Sequence, residues 1–201
     1  MYNTSELINN RNLLNGTNYQ FDSNRFSKPN TAIYFKNGSF EAPADIYFKS
    51  PFTVVVWVNF KIIRNYSRIL DFGNGVFNDN VVLALFPGGK PSISIKNATI
   101  VNYNWVYGPS INANTWYHVT FVHQNGKASI YINGKKGSEG NMIPPNQVNR
   151  TKNYIAKSNW NTDPPTDGIL SDLKIYDGAL TDNEIATDYA SMNQLPMMSC
   201  G

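Results

Sequence analysis

From Phe52 to Phe60 the even positions Phe52, Val54, Val56, Val58 and Phe60 are all apolar, while the odd positions Thr53, Val55, Trp57 and Asn59 are mixed. A period of two places successive side chains on opposite faces of a strand, so the even face must look into a core. Trp57 on the odd face predicts a central strand that is partly covered on its second side. Shorter apolar runs recur at 32–35, 68–71, 81–85, 91–95, 100–106, 116–123, 128–132 and 169–176. Turn residues separate them, as in a sandwich of short strands. Within 116–123, Tyr117, Val119 and Phe121 share one side, and Trp116, His118 and Thr120 share the other.

Gly73, Gly75 and the cluster Pro87-Gly88-Gly89 punctuate the middle of the chain. Asn-Gly pairs at 37–38, 125–126 and 133–134 predict tight turns, because both central residues of a type I′ turn need positive φ. One pattern reads as a helix. Thr181 and Glu184 have capping-box spacing, in which the hydroxyl accepts from a helical N–H while the carboxylate reaches back. That predicts a short helix over 182–191. One late helix among some ten strands indicates an all-β chain.

Composition agrees with sheet. Aromatic residues make up 13% of the 201 residues, with 12 Tyr and 11 Phe, types that suit a pleated, half-buried surface. The length suits one undivided sandwich, and no linker or repeat divides it. The expected organisation is a single domain over 1–201, with 1–30 as an N-terminal extension or edge strand and 192–201 as a tail. Net charge is +3, and the 17 basic residues are scattered, so no nucleic-acid arm is expected. No window approaches the roughly 18 apolar residues of a membrane span, so membrane insertion is not expected. The polar, Asn-rich start lacks the pattern of a secretory signal. That fits a cytosolic chain or a piece of a larger secreted protein. A single cysteine, Cys200, excludes an internal disulfide and leaves pairing between chains or with a following domain, or an unused thiol.

The residues that carry the strands and the helix also carry a resemblance. Phe52-Thr-Val-Val-Val-Trp57-Val resembles the first long strand of laminin G-like domains of the concanavalin A-like superfamily. Asn114-Thr-Trp116-Tyr-His118-Val-Thr resembles their Trp-Tyr-His strand, and Ile130-Tyr-Ile-Asn133-Gly134-Lys135 their Asn-Gly hairpin. Gly168-Ile-Leu-Ser-Asp172-Leu-Lys-Ile-Tyr176, with Ala179-Leu180-Thr181 and Glu184-Ile185, resembles their closing strand and helix. Four motifs in order cover roughly residues 30 to 190. The resemblance implies a two-sheet antiparallel jelly-roll sandwich with one short C-terminal helix, and an N-terminal strand pairing with the last one. In that superfamily the concave face or its rim loops bind carbohydrate, protein or calcium. A fold alone does not fix which.

The chemistry of the chain narrows the choice. A retaining glycosidase needs two carboxylates facing each other across the scissile bond. The glutamates here are only Glu6, Glu41, Glu139 and Glu184, and they form no Glu-x-Asp-x-x-Glu strand. Glu184 is assigned to a cap and Glu139 to a Gly-rich turn. Two histidines, His118 and His123, and the distant Cys200 suggest no triad and no zinc cluster. No catalytic residue is therefore expected, and glycoside hydrolysis ranks last. His118 reads either as part of a sugar platform with Trp57 and Trp116 or as a structural histidine bonding a neighbour. The second reading is favoured.

Calcium takes six to eight oxygens, and Asp71, Asn74, Asn78, Asp79 and Asn80 crowd one loop. Asp71, Asn80 and Asp172 are the candidate ligands of a calcium ion. Ser171 stands where many relatives carry a second Asp, which removes one donor. The alternative is a loop of turn-forming Asn and Asp. Aromatic knobs are the candidate ligand sites: Trp160 flanked by Asn159, Asn161 and Asp163, and Trp105 with Tyr107. They either stack on sugar rings or cover an edge or a partner surface. Among 29 asparagines, six head Asn-x-Ser/Thr sequons, at Asn3, Asn15, Asn37, Asn65, Asn97 and Asn149. Composition alone predicts about four, so the excess is weak.

The expected function is a non-catalytic, lectin-like or adhesive module at an extracellular, cell-surface or particle surface. Its partner would be a glycan or a glycoprotein. The alternative is a building block of a coat, filament or virus particle, contacting itself or other coat proteins.

Overall fold

The computed structural model describes residues 12–97 and 104–192. Within them lie β1 (Leu14–Asp22), β2 (Ala32–Ala42), β3 (Phe52–Phe60), β4 (Arg68–Gly73), β5 (Val81–Phe86) and β6 (Lys90–Ile95). They are followed by β7 (Val106–Tyr107), β8 (Tyr117–Gln124), β9 (Lys127–Ile132), β10 (Lys135–Asn141), β11 (Lys152–Ile155), β12 (Asp167–Tyr176) and α1 (Asp182–Met192). Every pairing is antiparallel. No helix of the described residues is long and apolar enough to cross a membrane.

The strand order is β10-β9-β8-β3-β12-β2 in one sheet, continuing as β2-β11-β4-β5-β6-β7 in the other. β2 belongs to both. Its residues 33–36 pair with β12, and its residues 40–42 pair with β11. The bend falls at Asn37, with φ 59°, and Gly38. A Cβ on Gly38 would stand 2.1 Å from the Thr17 carbonyl oxygen, so a side chain there would push β1 off β2. Asn37-Gly38 thus carries a strand from sheet to sheet rather than closing a hairpin, contrary to the expectation from its sequence. Asn125-Gly126 and Asn133-Gly134 do close hairpins, with φ of 51° and 71°, and of 51° and 75°.

The sheets enclose one core. The even face of β3 (Phe52, Val54, Val56, Val58, Phe60) meets Phe72, Val81, Leu83, Leu85, Ile93 and Ile95 of the second sheet, all buried in one cluster. Each fully buried Val, Leu, Ile or Phe side chain stabilises the fold by about 1.5–3 kcal/mol. Ile69 and Leu70 both join the core although they are adjacent. The cause is a bulge between Arg68 and Leu70 in the β4–β5 pairing. An extra residue on one strand shifts its alternation by one. The same shift puts Arg68 and Asp71, three apart, together on the outer face.

Several boundaries differ from the sequence pattern. β1 pairs with β2 and not with the last strand. β10 is polar, and Glu139 lies in that strand rather than in a turn, held by Lys127, Lys136 and Ser129. Those bonds draw the Glu139 carboxyl down to about 2. Of the strand expected over 100–106, residues 100–103 lie outside the described residues, and pairing begins at Val106.

α1 lies on the outer face of β3, β8 and β9. Thr181 caps it as expected: the Glu184 N–H donates to Thr181 Oγ1 at 3.3 Å, and the Thr181 N–H donates to Glu184 Oε2 at 2.7 Å. Ile185 packs with Val122 and Tyr131, while Tyr189 stacks on Trp57 at 5.8 Å. His118 Nε2 lies 3.2 Å from Asp188, whose other oxygen accepts from Lys174 at 3.0 Å. Trp57 and His118 are therefore roofed by the helix. His118 has a structural role there, and these two side chains offer no open sugar platform.

Candidate functional site

The outer face of the second sheet is built in cross-strand rows. Tyr154, Asp71, Val82 and Ser94 stand side by side, and Arg68, Ala84, Ser92 and Tyr107 form the next row. Val82, Ala84, Ser92 and Ser94 are small and buried, and they make a floor. Large side chains from three loops and two strand ends surround that floor. Phe77 comes from the β4–β5 loop, Trp160 from the β11–β12 loop, Phe86 from the end of β5, Lys96 from just past β6, Trp105 from just before β7 and Tyr107 from its end.

These side chains form a belt. Phe77 meets Trp160 edge-on at 5.1 Å. Lys96 Nζ lies 5.3 Å from the Phe77 ring, 5.2 Å from Trp160 and 5.9 Å from Trp105. Trp105 tilts toward Phe86 at 6.0 Å and toward Tyr66 at 6.3 Å. Phe86 stacks on Tyr107 at 5.0 Å, with Lys90 Nζ 5.1 Å from the Tyr107 ring. Phe77 is 48% exposed and Tyr107 45%, so the belt opens to solvent at both ends. The two aromatic knobs, far apart in sequence, thus sit on one face.

Beneath Trp160 runs a polar network. Asp71 is fully buried. Its Oδ1 accepts from Asn80 Nδ2 at 3.0 Å and from Asn159 Nδ2 at 2.9 Å. Its Oδ2 accepts from the Asn159 N–H at 3.0 Å and from Arg68 Nε at 3.4 Å. Arg68 also donates to the Tyr66 carbonyl and to Asp163 Oδ2, and it lies 5.7 Å from the Trp160 ring. Ser158 Oγ donates to Asp163 at 2.9 Å and accepts from the Trp160 N–H at 3.0 Å. The loop that presents Trp160 is therefore moored to β4 by Asp71 and Arg68. Asn159 and Asp163, read as ligand contacts, are the moorings themselves, while Asn161 is exposed beside them.

Burial, reinforced by the charge of Arg68, brings Lys96 down to about 8. A desolvated ammonium favours its neutral form unless an anion stands near it. Sequence reasoning missed Lys96, Phe77 and Phe86. Lys96 ends the Ser-Ile-Ser-Ile-Lys alternation on the outward side, which was the available signal. Phe77 lies in the loop whose Asp and Asn residues suggest calcium instead.

The three candidate metal ligands do not converge. Asp71 and Asn80 bond each other, whereas Asp172 lies on β12 of the other sheet, paired with Arg25 at 2.9 Å and with Ser171. Among the described residues no group of three or more His, Cys, Asp or Glu is arranged to hold a metal ion. Of the sequons, Asn15, Asn37, Asn65 and Asn149 are exposed. Asn15 donates to Glu41, and Asn37 accepts from Arg64. Asn97 is half-buried at the end of a described stretch. Asn3 and Cys200 lie outside the described residues.

Comparison with known proteins places the fold. Domain 4 of AbnA, an extracellular arabinanase of Geobacillus stearothermophilus solved in complex with arabinotriose, superposes with a TM-score of 0.64 at 20% identity, over 94% of this chain and 86% of that one. A heptameric SAP-like pentraxin of Limulus polyphemus gives 0.58 at 18%, over 75% and 74%. The ligand-binding domain of botulinum neurotoxin serotype D, in complex with N-acetylneuraminic acid, gives 0.64 at 14%. That match covers 94% of this chain but 49% of the toxin domain. No curated protein matches the chain in sequence. A family model described as the Concanavalin A-like lectin/glucanases superfamily, of laminin G type, matches residues 35–186. The two-sheet jelly roll and the match over well over half of its length agree: the chain belongs to the Concanavalin A-like lectin/glucanases superfamily.

Proposed function

We propose that this is a non-catalytic recognition domain that binds carbohydrate across the outer face of the second sheet. The observation that carries the reading is the belt Phe77–Trp160–Lys96–Trp105–Phe86–Tyr107, half open to solvent above a floor of small residues. Sugar rings present apolar C–H faces, which stack on aromatic rings, and hydroxyls, which need polar neighbours. The belt supplies the first, and Asn161, exposed beside Trp160, supplies the second.

The carboxylates of this face are held as structure. Asp71 and Asp163 both bind Arg68, where a glycosidase needs an acid and a base free across an open cleft. The similar domains solved with arabinotriose and with N-acetylneuraminic acid support a glycan partner, and hence a place outside the cell or on a surface.

The test is a glycan array on the purified domain, followed by titration of the best hit against Trp160→Ala and Tyr107→Ala. A buried aromatic anchor is worth about 2 kcal/mol or more, so Trp160→Ala is expected to weaken binding by at least about tenfold. A blank array, or binding untouched by both substitutions, overturns the reading.

A further inference from the structure

Resting on that carbohydrate reading, we infer that this face takes the interior of a single, turning polysaccharide chain, and neither a chain end nor the flat face of a crystalline polymer. Both ends of the belt are open. Phe77 is 48% exposed, and Val76 beside it 49%. At the other end Tyr107, 45% exposed, stands on β7, the last strand of its sheet among the described residues. Pro109 and Ser110 after it are exposed as well. A site that reads a terminal sugar encloses it and buries most of its surface. Here the rings run in a row between two open ends, so a chain lying on them enters at Phe77 and leaves past Tyr107.

The planes of the rings turn along that row. Phe77 and Trp160 stand at 85° to each other. Trp105 is tilted by 51° from Phe86 and by 52° from Tyr66. Phe86 and Tyr107 are 13° apart, but they are stacked on each other and so do not lie side by side in one plane. A crystalline polymer offers a flat array of sugar faces, which only coplanar rings meet together. Rings set at steep angles each meet a different sugar, and the chain must turn between them. That is the shape of a free chain with twisted linkages.

The rim of the row suits such a chain. Asn161 follows Trp160 and Asn104 precedes Trp105, and both are exposed. A side-chain amide carries two donors and an acceptor, so each can pair with a sugar hydroxyl in either sense. The Trp160 loop is moored to β4 through Asn159 and Asp163, so the angles of the row are set before the chain arrives. A surface fixed in its bound shape gains affinity by losing less freedom on binding.

The experiment is calorimetric titration with ladders, from monomer to hexamer, of arabino-oligosaccharides, laminari-oligosaccharides and the sugar of the strongest array hit. The soluble polysaccharide of each, at known chain length, is titrated as well. In at least one ladder affinity is expected to climb about tenfold or more from the monomer and to level off once the belt is spanned. One polysaccharide chain is expected to bind several copies of the domain, whereas a reader of chain ends binds once per end. Phe77→Ala and Tyr107→Ala, at opposite ends of the row, are each expected to weaken the hexamer. Crystalline cellulose and chitin are expected to leave the domain in solution. Equal affinity along every ladder overturns the inference, as does a stoichiometry set by the number of chain ends. So does weakening by only one of the two substitutions, or adsorption to a crystalline polymer. Each of these results leaves the carbohydrate reading standing. Absence of binding by every ladder, together with a blank array, overturns both.

Discussion

Arg68 on β4 and Asp163 in the β11–β12 loop are joined at 2.5 Å across 95 residues of chain, and the same guanidinium reaches the fully buried Asp71. One arginine thus ties the loop that carries Trp160 to the sheet beneath it. Removing one partner of a buried ionic cluster costs about 3–5 kcal/mol, because the charge left behind has lost its water. For a chain of this size each kcal/mol lowers the melting temperature by about 2–4 °C. Arg68→Met is therefore expected to lower it by about 10 °C, and Asp71→Asn in the same chain to recover part of the loss. Thermal melts of the two variants check this.

Asn159 makes a different kind of tie. Its Nδ2 donates to Asp71 Oδ1, the Asp71 carbonyl and the Lys152 carbonyl, at 2.9, 3.2 and 3.1 Å. Asn159→Ala strands those acceptors at a cost of about 1–3 kcal/mol. A denaturant midpoint shifted by that amount, with glycan affinity reduced through a looser Trp160, is the expected result. Unchanged stability would mean that the loop is held by Arg68 alone.

Acid is expected to loosen α1. Burial pushes His118 below its ordinary value near 6.5, partly offset by Asp188. The unfolded chain then binds a proton more readily than the folded one. The contribution is complete above about pH 6.5 and is lost as pH falls toward the lower folded value. Asp188, Lys174 and Arg25 face this histidine, and burial lowers His123 as well. Stability measured between pH 7.5 and 5 should fall, and His118→Gln should flatten part of that slope. An unaltered slope would assign the effect to His123.

Calcium is expected to leave the melting temperature unchanged. Both oxygens of Asp71 accept from Asn80, Asn159 and Arg68, and a carboxylate offers about four lone-pair sites. A ligand that binds only the folded state stabilises it measurably once its concentration exceeds Kd. A melt in millimolar calcium that matches the melt in chelator bears this out, and a clear rise would place an ion elsewhere on the molecule.

Gly38 offers a test of the fold itself. Gly38→Ala drives a methyl group into the carbonyl oxygens of Thr17 and Asn18, which would lie 2.1 and 2.3 Å away. Overpacking against backbone costs about 1–3 kcal/mol or more. Increased amide exchange confined to β1 and β2 is the expected signature.

The period-two pattern of β3 and β8 and the capping box of α1 were legible because each is a local signal. The core strands followed from them. What stayed hidden depends on register. Arg68 and Asp71, three apart, should face opposite ways in a regular strand. Only the bulge at Ile69 turns both outward, and nothing in Arg-Ile-Leu-Asp marks a bulge. The same holds for the union of Trp160 with Trp105, which needs loops on either side of the second sheet to meet over Lys96. β10 escaped notice because an edge strand need not be apolar, and Lys135-Lys-Gly-Ser-Glu-Gly shows no alternation. The platform reading of Trp57 stays open in the sequence as the less favoured alternative, because the strand alone does not show the helix that lies on it.

The margins of the sheets, among the described residues, carry one more consequence. β10 ends the first sheet with Lys135, Lys136 and a register shift before Ser138, and β7 ends the second after two residues. β1, on the flank of β2, is kinked by two shifts, with Asn15 and Asn18 in left-handed conformations. Irregular, charged or very short margins give an incoming strand no template. Copies of this domain can therefore stand shoulder to shoulder at high density without zipping into a common sheet. For a domain that binds glycans as proposed, crowding of that kind turns many weak sugar contacts into firm attachment.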